Sequence, residues 1–231
     1  MDKANTWLQK TLDYRFSDVG LFEQALTHRS APGNSNERFE FLGDAVLDVV
    51  VSEALYHARP DAAEGDLSRL RASLVRDTSL AELAADLGLG EHLILGSGER
   101  KAGGHRRESI LADALEALFG AVYLDSGFET AAEFVRRTFG ARLERFPHVD
   151  DLRDPKTQLQ EWLQARGFAL PVYKVLSAEG PDHKRVFTVE CAIEAGEVQS
   201  HVASGESRRK AEQAAAKYPI NEKIHIVDCQ C

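Results

Sequence analysis

Apolar residues recur every three or four positions through the first 145 residues, which is the spacing of an amphipathic α-helix. Strand-like alternation of apolar and polar residues is nearly absent from this part of the chain. The pattern therefore predicts an all-α domain. The predicted helices are 4–12, 18–29, 36–58, 66–87, 109–124 and 128–145.

The pattern changes at "ERFPHVDDLRDPKT", residues 144–157, which contains two prolines, several acids and few apolar residues. Such a composition is typical of a linker. The interpretation is a helical domain over 1–147, a linker over 148–153, a second domain over 154–218 and an atypical tail over 219–231.

The second domain has a different pattern of apolar and polar residues. Asp154 and Pro155 predict a helix N-cap and first position, and Gly167 predicts its end, which gives a helix over 155–166. The β-rich runs "PVYKVLSAEG", "RVFTVECAIE" and "VQSHVAS" predict three antiparallel strands. A helix over 207–218 completes a small α+β domain of order α-β-β-β-α. Because proline breaks helices, Pro219 predicts that this helix stops at or before Tyr218.

Composition is that of a globular protein, with 231 residues of which 43% are hydrophobic. The net charge of −9 argues mildly against a polyanionic partner, but its distribution changes the picture. Residues 1–150 carry 17 basic and 25 acidic side chains, whereas residues 151–231 carry 11 and 12. The acid excess lies in the helical domain, so the second domain is free to bind an anion.

Cellular location is predicted from two features. The three cysteines, Cys191, Cys229 and Cys231, form no framework of spaced pairs, as in a reducing compartment. The N-terminal stretch "MDKANTWLQKTLDY" lacks the apolar core of a signal peptide, and no run approaches the length of a membrane span. A cytoplasmic protein without membrane partners is expected.

The segment "NERFEFLGDAVLD", residues 36–48, places Glu37, Glu40, Asp44 and Asp48 on one side of a predicted helix. Such a stripe is often only a solvated face. Like charges four residues apart nevertheless destabilise a helix, and no Lys or Arg on the stripe relieves them. A cation from outside the helix would do so.

A second acidic element lies in "SILADALEALFGAVYL", residues 109–124, whose only charges are Asp113 and Glu116. A helix that is apolar nearly all round is a buried one, and buried carboxylates need a partner. A salt bridge to a distant arginine is one solution. A metal ion shared by the two acidic elements is the other, and carboxylate-only ligands favour Mg²⁺ or Mn²⁺ over Zn²⁺.

Basic residues of the second domain concentrate at 183–185 and at Arg208, Arg209 and Lys210, which begin the last helix. Cations at a helix N-terminus oppose the helix dipole. An external phosphate would reverse this cost, because exposed backbone N–H groups and basic side chains would both attract it. Ordinary solvated side chains are the alternative interpretation.

Taken together, these motifs resemble the ribonuclease III family over residues 1–218. The blocks "LTHRS", "NERFEFLGDAVLD", "EGDLSRLRASLVR" and "LGSGERKAGGHRRESILADALEALFGAVYLDSG" follow its helical nuclease domain in order. The segments "DPKTQLQEWLQ", "GPDHKRVFTVE" and "ESRRKAEQAAA" are similar to its double-stranded-RNA-binding domain.

The resemblance implies a bacterial, Mg²⁺-dependent homodimer that cuts both strands of double-stranded RNA and leaves 5′-phosphates. It implies a metal-binding set of Glu40, Asp44, Asp113 and Glu116, with Glu37 and Glu64 lining the same cleft and Lys101 nearby. The segment "FEFLGDAVLDVV" is a candidate for the dimer surface through an exposed Phe41. The implied RNA contacts are Thr157, Gln160, Glu161, His183, Ser207, Arg208, Arg209 and Lys210.

Two departures from the family pattern affect these expectations. Glu206 precedes the basic helix start where the family has a small or hydroxyl residue, and an acid there weakens phosphate contact. Pro219 replaces the expected helical continuation. A non-catalytic double-stranded-RNA-binding dimer is the alternative function, and the intact acid set favours catalysis over it.

Overall fold

The computed structural model describes residues 2–143, 146, 154–181, 184–195 and 197–221. The chain divides into two compact units, Met1–Leu152 and Arg153–Cys231, and each is described by itself. The predicted linker 148–153, His183 and the tail beyond Asn221, with Cys229 and Cys231, lie outside the described residues.

The first unit is built from α-helices joined by short loops and 3₁₀ turns, which confirms the predicted all-α domain. Its helices are α1 (Asp2–Leu12), α2 (Val19–Leu26), α3 (Glu37–Ala58), α4 (Glu64–Val75), α5 (Asp77–Asp86), α6 (Ser97–Lys101) and α7 (Glu108–Phe139). Within the part of the chain that the structure describes, no helix has both the length and the apolarity that crossing a bilayer requires.

Some predicted helix boundaries are wrong. The predicted helix 66–87 is two helices, because Arg76 is extended, with ψ of 149°. Its carbonyl accepts the N–H groups of Ser79 and Leu80, so the next helix begins at once and the apolar spacing hides the break.

The predicted helices 109–124 and 128–145, by contrast, run on as α7, with a kink at Gly127. The φ of 79° at that position is readily adopted only by glycine. The end of α7 at Phe139 has a similar cause, because Gly140 has a φ of 47° and leaves the helix there.

Helix α7 supplies the centre of the first unit. Every residue from Ile110 to Val122 is buried except Asp113 and Glu116, which are partly exposed. The prediction of a buried helix carrying two acids is therefore confirmed. Helix α3 packs on α7 and buries its own apolar stripe, including Val46, Leu47 and Val50, in the same core.

The second unit has the predicted α-β-β-β-α order. Its elements are α8 (Pro155–Gln164), β1 (Val172–Glu179), β2 (Val186–Ala195), β3 (Glu197–Gly205) and α9 (Arg208–Asn221). The strands form an antiparallel sheet of order β1-β2-β3. Both helices pack on one face of it, around a core of Leu159, Leu163, Cys191, Ile193 and Ala215.

The termini of α8 follow the sequence signals. The Asp154 carboxylate accepts the N–H of Lys156 at 2.9 Å and caps the helix, and Gly167 takes a φ of 74° just beyond its end. The predicted end of the last helix is wrong, because α9 continues through Pro219 to Asn221. Proline has a φ close to that of a helix, and in the last turn it removes only one backbone hydrogen bond.

Candidate metal centre and nucleic-acid interface

Two glycines bring the acidic elements together where α3 crosses α7. A Cβ atom at Gly43 would lie 1.8 Å from the carbonyl oxygen of Glu116, and one at Gly120 would lie 2.2 Å from that of Phe39. No side chain larger than hydrogen fits at either position without moving a backbone. The two helices therefore touch backbone to backbone, with the acids of both helices beside the contact.

Three carboxylates meet at this crossing. Glu40 of α3 and Asp113 and Glu116 of α7 each offer an oxygen, and these oxygens lie within 4.8 Å of one another. All three side chains are partly buried. A group of carboxylates at this spacing can hold a divalent cation, and the absence of His and Cys from the group favours a hard one.

The group of acidic side chains at the crossing lacks a compensating positive charge. Burial, followed by the charges of Asp44, Glu40 and Asp113, raises the pKa of Glu116 to about 8. Burial is also the first cause of the raised pKa values of Glu40, Asp44 and Asp113. Among the described residues, none of these four carboxylates forms an ion pair, so a divalent cation would supply the missing charge.

Asp44 stands at the margin of this group. Its charge is the largest electrostatic contribution to the raised pKa of Glu116, so the structure does bring it close. It is more exposed than the other three, and it is not among the oxygens that meet within 4.8 Å.

The ends of the acidic stripe on α3 have their own cations. Arg29 lies 3.6 Å from Glu37, and Arg71 of α4 lies 3.7 Å from Asp48. The stripe thus contains no cation of its own, but arginines from other elements reach its first and last acids. Only Glu40 and Asp44, in its middle, are left without an ion pair in the described structure.

Two further predicted residues lie outside the three-carboxylate group. Glu64 begins α4, accepts the Ser68 hydroxyl at 2.8 Å and lines a cleft with Tyr56 and Arg71. Lys101 ends α6 and is exposed. The structure does not bring either side chain into the group of Glu40, Asp113 and Glu116.

Three side chains near the cluster escaped the sequence reasoning. The side chains of His28 and Arg29 lower the pKa of Asp113, and the charge of Asp77 raises it. Asp77 lies in the first turn of α5, which is an ordinary place for an acid, so no pattern distinguishes it. His28 and Arg29 follow α2 within "LTHRS", a block that carries the family resemblance but no periodic signal.

In the second unit, the predicted RNA-contacting residues are on the surface. Thr157, Gln160 and Glu161 are exposed at helical spacing on α8. The Ser207 hydroxyl accepts the backbone N–H of Lys210 at 3.2 Å and helps to cap α9. His183 is outside the described residues.

Each cation at the start of α9 has an acid close by. Arg208 bonds Glu212 at 2.8 Å, and Lys210 bonds Glu206 at 2.6 Å. Arg209 is 3.9 Å from Asp154, and its side chain is 82% exposed. These acids offset part of the unfavourable interaction between the basic side chains and the helix dipole. The exposed basic side chains still present positive charge to solvent.

Comparison with known proteins agrees with this geometry. The model of the Ribonuclease-III-like family matches residues 18–143, and that of the double-stranded RNA binding motif matches residues 155–221. Ribonuclease 3 of Pseudomonas fluorescens is 56% identical over 90% of this chain and 91% of its own length. Ribonuclease 3 of Pseudoalteromonas translucida is 52% identical over 94% and 96%, respectively.

A solved structure resembles the first unit. The nuclease domain of ribonuclease III from Campylobacter jejuni matches with a TM-score of 0.58 and 45% identity, over 62% of this chain and 97% of that one. Fold and site together define a helical nuclease domain followed by a double-stranded-RNA-binding domain. The chain belongs to the ribonuclease III family. It is a double-strand-specific endoribonuclease.

Proposed function

We propose that this enzyme hydrolyses phosphodiester bonds of double-stranded RNA with divalent metal ions held by Glu40, Asp44, Asp113 and Glu116. The observation that carries the proposal is the meeting of Glu40, Asp113 and Glu116 within 4.8 Å without a cationic partner among the described residues. The carboxylate-only donor set fits Mg²⁺, with Mn²⁺ as a substitute. Ions bound there would activate a water molecule and stabilise the leaving oxygen.

The side chains divide the remaining tasks. Glu40, Asp113 and Glu116 hold the ions at the α3–α7 crossing, and Asp44 completes the set from the margin. Glu37 and Glu64 are assigned to the placement of substrate or metal, and Lys101 is assigned to a contact with the RNA. Attack of water on phosphorus, with departure of the 3′-oxygen, leaves a 5′-phosphate and a 3′-hydroxyl.

The second domain holds the duplex. A-form RNA is recognised through its shape, its 2′-hydroxyls and its phosphates, which needs only polar side chains and local positive charge. We assign contacts in one minor groove to three residues of α8, Thr157, Gln160 and Glu161. His183 is assigned to the next minor groove along the duplex. The phosphates between these two minor grooves are assigned to Ser207, Arg208, Arg209 and Lys210. This mode of recognition explains why an acidic chain binds a polyanion.

We extend the proposal to a homodimer. Phe41 on α3 is 81% exposed, next to the metal ligand Glu40, and a large apolar side chain in that position is suited to an interface. A structure of the related Campylobacter jejuni nuclease domain is described as flexible in a region involved in dimer formation. Sedimentation of wild type and of Phe41→Asp tests this, with a dimer expected for the first and a monomer for the second.

Processing of ribosomal, messenger and small RNAs in the cytoplasm belongs to the same proposal. It follows from the family relationship, and the described residues do not select particular RNAs. Mapping the cleavage ends of cellular RNAs in cells with and without the enzyme tests it.

The nuclease proposal is tested by incubating a long RNA duplex with the wild type and with Glu116→Gln, with and without Mg²⁺. We expect short duplex products only from the wild type with Mg²⁺, bearing 5′-phosphates. Glu116→Gln loses a metal ligand but keeps the RNA-binding domain, so it binds RNA and cuts poorly. Glu129→Gln, an exposed acid on the same helix, is the matched control and cuts normally. Cleavage by Glu116→Gln at the wild-type rate would remove Glu116 from the site.

A further inference from the structure

Two side chains that follow α2 lie on a loop whose backbone is hydrogen-bonded to Asn36 at the start of the acidic helix α3, and Arg29 lies 3.6 Å from Glu37 of that helix. We propose that His28 and Arg29 contact the scissile phosphate of the RNA, an inference that rests on the nuclease function argued above. His28 donates a hydrogen bond from Nε2 to a phosphate oxygen, and Arg29 adds a permanent positive charge. The assignment is one of phosphate binding, and no proton is transferred.

The loop that carries these residues is held firmly. The N–H of His28 bonds the carbonyl of Ile94 at 3.0 Å, and the N–H of Ile94 bonds that of Leu26 at 2.8 Å. On the other side, the carbonyl of Thr27 accepts the N–H of Asn36 at 2.8 Å. These bonds fix His28 and Arg29 between the end of α2 and the start of the acidic helix α3.

Gly96 closes the loop against its neighbour. A Cβ atom there would lie 2.2 Å from the carbonyl oxygen of Ser30, so the two segments are in backbone contact. The N–H of Gly96 also donates to the Ser30 hydroxyl oxygen at 3.0 Å. A donor on such a loop is preorganised, and preorganisation is what makes a hydrogen bond effective at a reacting centre.

Hydrogen bonds at Nδ1 indicate which ring nitrogen of His28 is the acceptor. The backbone N–H of Ser30 donates to Nδ1 at 3.2 Å, and the Ser30 hydroxyl lies 2.8 Å from the same atom. With Nδ1 accepting the Ser30 N–H, Nε2 is the ring nitrogen left to act as a donor.

The charge of the loop reaches the cluster. The positive charge of Arg29 lowers the pKa of Asp113. Arg29 also acts on Glu40. Its contact with Glu37 is long, at 3.6 Å, and the Arg29 side chain is 72% exposed, so the guanidinium is free to turn to a phosphate.

The chemistry of the substrate requires such groups. A phosphodiester is an anion, and carboxylates repel it wherever metal charge does not cover them. An imidazole N–H donor binds a phosphate oxygen without competing with the metal ions for the carboxylates, and a guanidinium can engage two oxygens at once. The loop therefore supplies the donors that an acid-only site lacks.

The test separates the two nitrogens of His28. In His28→Asn the amide oxygen replaces Nδ1 as acceptor, which preserves the loop, but the Nε2 donor is lost. In His28→Gln the amide nitrogen comes near the place of Nε2 and restores the donor. Arg29→Gln removes the charge, and Arg136→Gln, an exposed arginine paired with Glu53, is the control with the same change.

Each variant is measured for single-turnover cleavage of a labelled duplex in Mg²⁺, for RNA binding in Ca²⁺ and for Mn²⁺ binding without RNA. We expect His28→Asn to cut about 100-fold more slowly, as when one preorganised donor is removed. Its Mn²⁺ and RNA affinities stay within about twofold of the wild type. His28→Gln regains most of the rate, Arg29→Gln cuts about tenfold more slowly, and Arg136→Gln is unchanged.

Three outcomes overturn the proposal. Wild-type cleavage rates in His28→Asn and Arg29→Gln exclude phosphate contact. A parallel loss of Mn²⁺ binding shows that the loop supports the metal site instead. Equal slowing in His28→Asn and His28→Gln excludes the Nε2 donor. A wild type that fails to cut duplex RNA in Mg²⁺ or Mn²⁺ refutes the nuclease proposal itself, and that result is visible before any variant is compared.

Discussion

Charged side chains are arranged in opposite ways at two places in the molecule, the crossing of α3 and α7 and the start of α9. At the crossing, partly buried carboxylates meet without forming an ion pair with any described residue, and the pKa of Glu116 is raised to about 8. At the start of α9, exposed cations each lie near an acid, as Arg208 does near Glu212 and Lys210 near Glu206.

The difference indicates two kinds of ligand. A buried charge without a partner costs free energy, so it persists where a tightly held ion compensates it. An exposed ion pair contributes little to stability, and its cation can exchange one anion for another at small cost. The first arrangement suits a bound metal ion, and the second suits a phosphate backbone that must be bound and released.

The largest effect is expected from Gly43→Ala. The new Cβ would overlap the carbonyl oxygen of Glu116, so α3 and α7 must separate, at a cost of about 3 kcal/mol in the free energy of unfolding. Metal binding falls with it, because the two sets of acids move apart. Denaturant unfolding measures the first effect. Gly98→Ala, where a Cβ meets no atom within 4 Å, is the control and should be neutral.

The raised pKa of Glu116 predicts how metal affinity depends on pH. Below pH 8 the metal-free carboxyl is largely protonated, and a divalent ion must displace that proton to bind. Affinity for Mn²⁺ should therefore rise with pH up to about 8 and level off above it, with proton release on binding. Calorimetry in buffers of different ionisation enthalpy measures both. A flat profile from pH 6 to about 9 would contradict the unpaired state of Glu116.

The paired cations of α9 should act mainly on RNA affinity. Arg208→Ala combined with Lys210→Ala removes two phosphate contacts, so RNA binding weakens and its dependence on the logarithm of salt concentration becomes shallower by about two. The cleavage rate at saturating RNA is unchanged. Lys174→Ala with Lys217→Ala removes the same charge elsewhere in the domain. An equal effect of both pairs would show that only net charge matters.

The smallest effect concerns Glu206. Its carboxylate holds the ammonium group of Lys210 at 2.6 Å and competes with a phosphate for it. Glu206→Ser should free Lys210 and tighten RNA binding about twofold, since exposed ion pairs are weak. Glu194→Ser, an exposed acid on β2, makes the same change in charge. Fluorescence anisotropy with a short RNA duplex is sensitive enough to distinguish the RNA affinities of the two variants.

Much of the site could be predicted from the sequence, because its signals are local. A helix as apolar as 109–124 must be buried, so the two acids in it require a compensating partner on sequence grounds alone. The four acids of 36–48 likewise share a face through helical spacing alone. The alternation in the second domain was enough to predict its three strands.

The features that the sequence could not predict depend on distant parts of the chain. The sequence around Gly43 of α3 does not indicate that Gly120 of α7 packs against α3. That contact between the two helices exists only in the folded protein. Arg29 and Arg71 reach Glu37 and Asp48 from other elements, so the isolated stripe looked more uniform than it is. His28 shows its acceptor nitrogen only through bonds to Ser30 in the folded loop.

We propose above that carboxylates of α3 and α7 share one divalent ion site. Titration of Mn²⁺ into wild type and Glu116→Gln, at a pH above 8 and without RNA, tests it most directly. We expect saturable binding to the wild type and its loss in Glu116→Gln, with Glu129→Gln unchanged. Equal binding to all three proteins would contradict it.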